Sequence, residues 1–213
     1  MGAVITVVDY GRSNLLSVRR ALEHCGAQVR FASAPEEVLR AQALVLPGVG
    51  AFADGMEQLR RQGLAGPIRQ KAGEGTPLLG ICLGMQMLLE AGVEGGLTEG
   101  LGLIAGQVGP LPDKTADGAP LKVPHVGWGA LTLAPSGASG LLRGTRQGDE
   151  VYFVHSFAAR PARREDCAAT VEYGGHTVCA AVARGNVTGL QFHPEKSGPV
   201  GLCMIRAFVE SIG

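Results

Sequence analysis

Four apolar runs divide this chain, at 3–8, 43–46, 77–81 and 188–192, and each ends at a turn-forming segment. None alternates apolar with polar residues, so each suits a strand covered on both faces rather than on one. Helical spacing follows the first run: Leu15, Val18, Leu22 and Cys25 recur every three to four residues, and Gly26 closes the pattern. A short strand is expected over 28–32. The Ser33-Ala-Pro-Glu36 segment has the spacing of a capping box that opens a helix toward Arg40. Further helices are expected from about Asp54, from Pro67, over 83–90 and over 198–212. Repeated strand–helix alternation predicts an α/β fold with a mostly parallel central sheet and helices on both faces.

Beyond residue 95 the pattern changes. Short runs at 104–108, 121–123, 130–133, 151–157, 168–173 and 178–183 are separated by Gly, Pro and charged turns, which predicts a smaller antiparallel sheet in the C-terminal half. No interior linker or repeat divides the sequence, so residues 1–213 are read as a single domain.

Lys and Arg balance Asp and Glu at 19 each, and no basic run occurs. Such a chain has no field to draw in nucleic acid or an anionic membrane, leaving small molecules and proteins as partners. No apolar stretch reaches the roughly 18 residues of a membrane span, and no signal-like segment is evident, so a cytoplasmic protein is expected. The five cysteines are odd in number and contain no C-x-x-C pair, which argues against a disulfide framework or a zinc site. Neither a metal nor a cofactor is called for.

One cysteine stands apart. Gly80-Ile-Cys82-Leu-Gly84 follows an apolar run and precedes a helical pattern, the strand–turn–helix context of a nucleophile elbow with Cys in place of Ser. The flanking glycines permit a crowded backbone. The following helix favours thiolate over thiol and aims the Leu83 N–H at a developing oxyanion. At the end of the last apolar run stands His193-Pro-Glu195. Proline keeps His193 extended, so Glu195 shares its face and can orient the imidazole. Nucleophile, base and orienter are therefore candidates at Cys82, His193 and Glu195, if folding closes a gap of over a hundred residues. Pro47-Gly-Val49-Gly50 also ends a strand, and its glycines permit a backbone able to offer an N–H; equally, it is a tight turn.

These segments resemble the class I, triad-type glutamine amidotransferases. With Asp9-Tyr-Gly-Arg-Ser-Asn14, Leu46–Phe52, Val123-Pro-His-Val-Gly-Trp128, Tyr152–Phe157 and His193-Pro-Glu-Lys-Ser197, the resemblance narrows to the branch of glutaminase subunits that serve imidazole glycerol phosphate synthase. It implies that Cys82 attacks the glutamine amide through a γ-glutamyl thioester, with His193 moving protons and Glu195 orienting it. It implies an oxyanion hole at Leu83 and the 47–50 loop (Val49, Gly50). Substrate contacts fall at Gln86, Glu94, Ser156 and Phe157. The released ammonia passes to a separate (β/α)₈-barrel cyclase subunit in histidine biosynthesis, with Asn14, Trp128 and Lys196 as interface residues. Trp128 reads equally as core.

Two positions depart from the branch: Arg12-Ser13 replaces a smaller pair, and Phe157 stands where tyrosine is frequent. Competing readings keep the glutaminase but change its acceptor, as in pyridoxal-phosphate or anthranilate synthase, or retain the fold in a non-catalytic subunit.

Overall fold

A computed structural model describes residues 2–11, 14–135 and 140–212. The first half alternates strand and helix: β1 (Val4–Val8), α1 (Leu15–His24), β2 (Gln28–Ala32), α2 (Pro35–Leu39), β3 (Leu44–Gly48), α3 (Phe52–Arg61), α4 (Ala65–Gly73), β4 (Leu78–Cys82) and α5 (Leu83–Met87). The second half is strand-rich: β5 (Leu89–Gly92), β6 (Thr98–Glu99), β7 (Ile104–Pro110), β8 (His125–Leu133), β9 (Glu150–His155), β10 (Phe157–Pro161), β11 (Cys167–Tyr173), β12 (His176–Arg184) and β13 (Val187–Leu190), before α6 (Gly198–Glu210).

A nine-stranded sheet runs β2-β1-β3-β4-β13-β12-β11-β8-β9. Its first five strands are parallel and the remaining pairings antiparallel. Period-two alternation sorts β1, β3 and β4 onto two cores. Ile5, Val7, Val45, Leu79 and Ile81 face α1 and α6, whereas Val8, Leu44, Leu46 and Leu78 face residues of α2 to α5. Both faces are covered, which is why these strands read as continuous apolar runs. The α/β expectation holds.

The second half differs from the expectation in detail. Five of its strands join the main sheet, and the separate sheet, β10-β7-β5-β6, mixes parallel and antiparallel pairs. The helix expected over 83–90 stops at Met87. Leu89 and Ala91 are buried either side of exposed Glu90, a period-two pattern that pairs with β6 and β7 and overrides helix propensity. The run at 121–123 is not a strand. Leu121 turns its N–H to the Asp113 carbonyl inside a local loop. The expected strand over 151–157 is two strands: the chain leaves the main sheet at His155 and enters the second sheet at Phe157. The α2 cap is also one residue later than expected, because Glu37, not Glu36, accepts from the Ser33 and Ala34 N–H groups.

Candidate active site

β3 and β4 run parallel with Gly48 opposite Cys82, so the 47–50 loop and the cysteine leave the sheet side by side at its carboxyl end. Cys82 has φ 55° and ψ −112°, and is the one non-glycine with positive φ among the described residues. Backbone strain of this kind is kept only where neighbours enforce it. The enforcement is steric. A Cβ on Gly84 would lie 1.7 Å from the Leu46 carbonyl oxygen, and one on Gly80 would lie 2.8 Å from the Gly84 backbone. The elbow folds back onto β3 closely enough that neither position tolerates a side chain.

The histidine is held differently. The His193 N–H donates to the Tyr152 carbonyl at 3.0 Å. Buried Ser197 takes the Tyr152 N–H on its hydroxyl oxygen at 3.0 Å and donates to the His193 carbonyl at 2.7 Å. Glu195 Oε1 meets His193 Nδ1 at 2.7 Å, with both side chains almost fully buried. Burial works against charge on this imidazole. Its hydrogen bonds with the Cys82 sulfur and the Glu195 carboxylate outweigh that penalty and raise its pKa to about 9. The sulfur and the imidazole line the same cleft, and Nδ1 is the nitrogen turned to the carboxylate.

A cavity of about 300 Å³ opens over these groups. Cys82 and His193 line it together with Leu83, Val49 and Gly50 from the expected oxyanion segments, and Gln86, Glu94, Ser156 and Phe157 from the expected substrate set. Glu195 stands behind His193. Pro124, Val154 and His155 complete the wall. Glu94 reaches it while accepting the Phe52 N–H at 2.8 Å, which caps the first turn of α3.

Polar groups on the wall are already committed. The Phe157 carbonyl accepts from Gln86 Nε2 and from His155 Nδ1, both at 2.9 Å. Since a carbonyl only accepts, His155 carries its proton on Nδ1. Its Nε2 then accepts from His125 Nδ1 at 3.3 Å. Burial pushes the His155 pKa down to about 4, with smaller effects from the Phe157 carbonyl (upward) and His125 and His193 (downward). It also lowers that of His125. The pair is neutral at physiological pH. Phe157 can thus meet a ligand through its N–H or ring, but not through its carbonyl.

Of the expected interface residues, Trp128 is 55% exposed and touches Tyr152 edge-on, so it is not core. Asn14 and Lys196 are exposed as well. Residues 12 and 13, where the sequence departs from the branch, lie outside the described residues. Three residues of the site escaped sequence reasoning as individual candidates: Ser197, the buried Tyr10 beside Gly48, and Gln191. Burial, followed by the charge of Cys82, raises the Tyr10 phenol's pKa. A polar residue inside an apolar run, as Gln191 is, was the available signal for one of them.

The model of the family described as glutamine amidotransferase class-I matches residues 6–211. The chain belongs to this family. It is 50% identical over 206 residues to an imidazole glycerol phosphate synthase subunit HisH from Geobacillus thermodenitrificans, spanning 97% of this chain and 95% of the relative. It is 46% identical over 209 residues to subunit HisH 1 from Legionella pneumophila (strain Lens), spanning 97% and 98%. The narrower resemblance therefore extends along nearly the whole chain. Among solved structures, a PurLQS structure from Thermotoga maritima aligns over all of both chains with TM-score 0.76 at 20% identity, which speaks to the fold alone. Among the described residues, no helix is long and apolar enough to cross a membrane.

Proposed function

We propose that this chain is the glutaminase subunit of an imidazole glycerol phosphate synthase, acting in the cytoplasm and feeding ammonia to a (β/α)₈-barrel cyclase in histidine biosynthesis. The observation that carries the chemistry is that Cys82 and His193 line one cavity, with Glu195 hydrogen-bonded to His193 from behind. The similarity to HisH subunits carries the choice of acceptor.

In this reading the Cys82 thiolate attacks the side-chain amide carbon of glutamine. A carbon–sulfur bond forms and the carbonyl electron pair moves onto oxygen, where N–H groups from Leu83 and the Val49–Gly50 loop receive the charge. The intermediate collapses by breaking the carbon–nitrogen bond, as the imidazolium proton of His193 passes to the departing nitrogen to give ammonia. Water then attacks the thioester, loses a proton to His193, and releases glutamate and the thiolate. Glu195 fixes the ring through Nδ1 and stabilises its charged form throughout. Glu94 offers its carboxylate to the substrate's α-ammonium, and Gln86, Ser156 and Phe157 line the same pocket. Asn14, Trp128 and Lys196 present an exposed surface for the cyclase, and an aromatic of this kind is a common anchor at interfaces.

The test is Cys82→Ala in the complex assembled with a barrel cyclase. Glutamine-dependent synthesis should vanish while synthesis from added ammonia continues. Loss of both would contradict ammonia delivery.

A further inference from the structure

Gln191 follows β13 and precedes His193 by two positions, where the chain bends, and its side chain reaches Cys82. Its side chain is 0% exposed, an unusual place for an amide in an otherwise apolar layer. Two contacts define its role. Gln191 Oε1 accepts from Gln86 Nε2 at 3.1 Å, and Gln191 Nε2 lies 3.9 Å from the Cys82 sulfur.

The direction of these bonds follows from one fixed point. The Phe157 carbonyl can only accept, so Gln86 must present its amide nitrogen there. The second hydrogen of that nitrogen faces Gln191, which must therefore turn its oxygen toward Gln86 and its own nitrogen toward Cys82. Rotating the Gln191 amide by half a turn would set nitrogen against nitrogen on one side and an oxygen lone pair against the sulfur on the other. The ladder Phe157–Gln86–Gln191–Cys82 thus has a single polarity, ending in an N–H aimed at sulfur.

That donor has something to oppose. On its other side Cys82 Sγ lies 3.9 Å from the Val154 carbonyl oxygen, which can accept from the thiol but repels a thiolate. We propose that Gln191 is a further catalytic residue: its amide donates a hydrogen bond to the Cys82 thiolate, and Gln86 is the positioning residue that holds it there. The assignment rests on Cys82 being the nucleophile. It also changes the reading of Gln86, whose two amide hydrogens are spent inside the protein, so that only its oxygen faces outward.

The experiment is alkylation of the full chain by iodoacetamide across a pH series, with the modified cysteine identified by peptide mass because Cys203 is exposed. In Gln191→Met, which keeps length and loses both hydrogen bonds, Cys82 alkylation near neutral pH should slow about ten-fold, the effect of removing a hydrogen bond to a charged acceptor. The deficit should close at alkaline pH, and kcat for glutamine should fall more than KM rises. A pH profile superimposable on that of the wild type, whatever happens to the melting temperature, overturns the assignment. If Gln191→Met does not fold, Gln86→Met carries the test. It leaves the Gln191 amide in place but free to turn, and should slow alkylation about three-fold, an unchanged profile again being fatal. Wild-type chain alkylated at Cys82 must also lose glutamine hydrolysis. If it does not, the nucleophile reading fails; if it does and the variants match the wild type, only the role of Gln191 fails.

Discussion

The two halves of the candidate triad are held in place by opposite means. The elbow at 80–84 is positioned by exclusion: backbone lies against backbone, and Gly80 and Gly84 are the only residue type that fits. The 191–197 segment is positioned by attraction, through the hydrogen bonds of Ser197, Tyr152, Glu195 and Gln191. A nucleophile on a strained turn needs a frame that cannot relax. A base that must gain and lose a proton needs partners that respond to its charge. The elbow should therefore fail by losing the fold, and the histidine segment by losing rate or pH tolerance.

The sharpest separation is expected from Gly84→Ala. Its new methyl would overlap the Leu46 carbonyl, so the variant should lose at least about 3 kcal/mol in denaturant titration, above the usual range for overpacking because the obstacle is backbone. A fully stable variant would show that the elbow has slack.

The second effect is on pH dependence. His193 binds its proton more tightly in the folded chain, at a pKa of about 9 against 6.5. Its stabilisation is complete below pH 6.5 and is lost as pH rises through 9, at most about 3 kcal/mol in all. His155 runs the other way. Folding lowers its pKa from 6.5 to about 4, so stability falls as pH drops from 6.5 toward 4, where only the unfolded chain takes up the proton. Folding free energy should peak near pH 6.5, and Glu195→Gln should flatten the alkaline limb while leaving the acid limb in place. An unchanged alkaline limb in that variant would contradict the charge-responsive account of the histidine segment.

The smallest effect is expected from Ser197→Ala, at about 2 kcal/mol, because it strands the part-buried Tyr152 N–H and frees the His193 carbonyl. Its kcat should fall with KM little changed. A raised KM at unchanged kcat would place Ser197 in binding rather than in holding the base.

The same contrast explains what the sequence could reveal. Features set by local pattern were legible: the continuous apolar strands, the glycine-flanked cysteine, and the histidine and carboxylate two apart. Where distant segments compete, the sequence misled. Residues 89 and 90 look like the tail of a helix until β7 offers them a strand partner, and 151–157 look like one strand because nothing local marks the crossing between sheets at Ser156. Gln191 and Ser197 sit inside recognised motifs, yet their roles depend on Gln86, Cys82 and Tyr152, which no spacing connects to them. Trp128 illustrates a third kind of ambiguity, since an aromatic in a strand reads as core until the edge of the sheet is known.

The most direct measurement is mass spectrometry of the cyclase-bound chain, quenched in acid during glutamine turnover. One γ-glutamyl adduct should appear on the peptide carrying Cys82, and be absent from Cys82→Ala. An adduct on a different residue, or ammonia release persisting in Cys82→Ala, would contradict a nucleophile at the elbow.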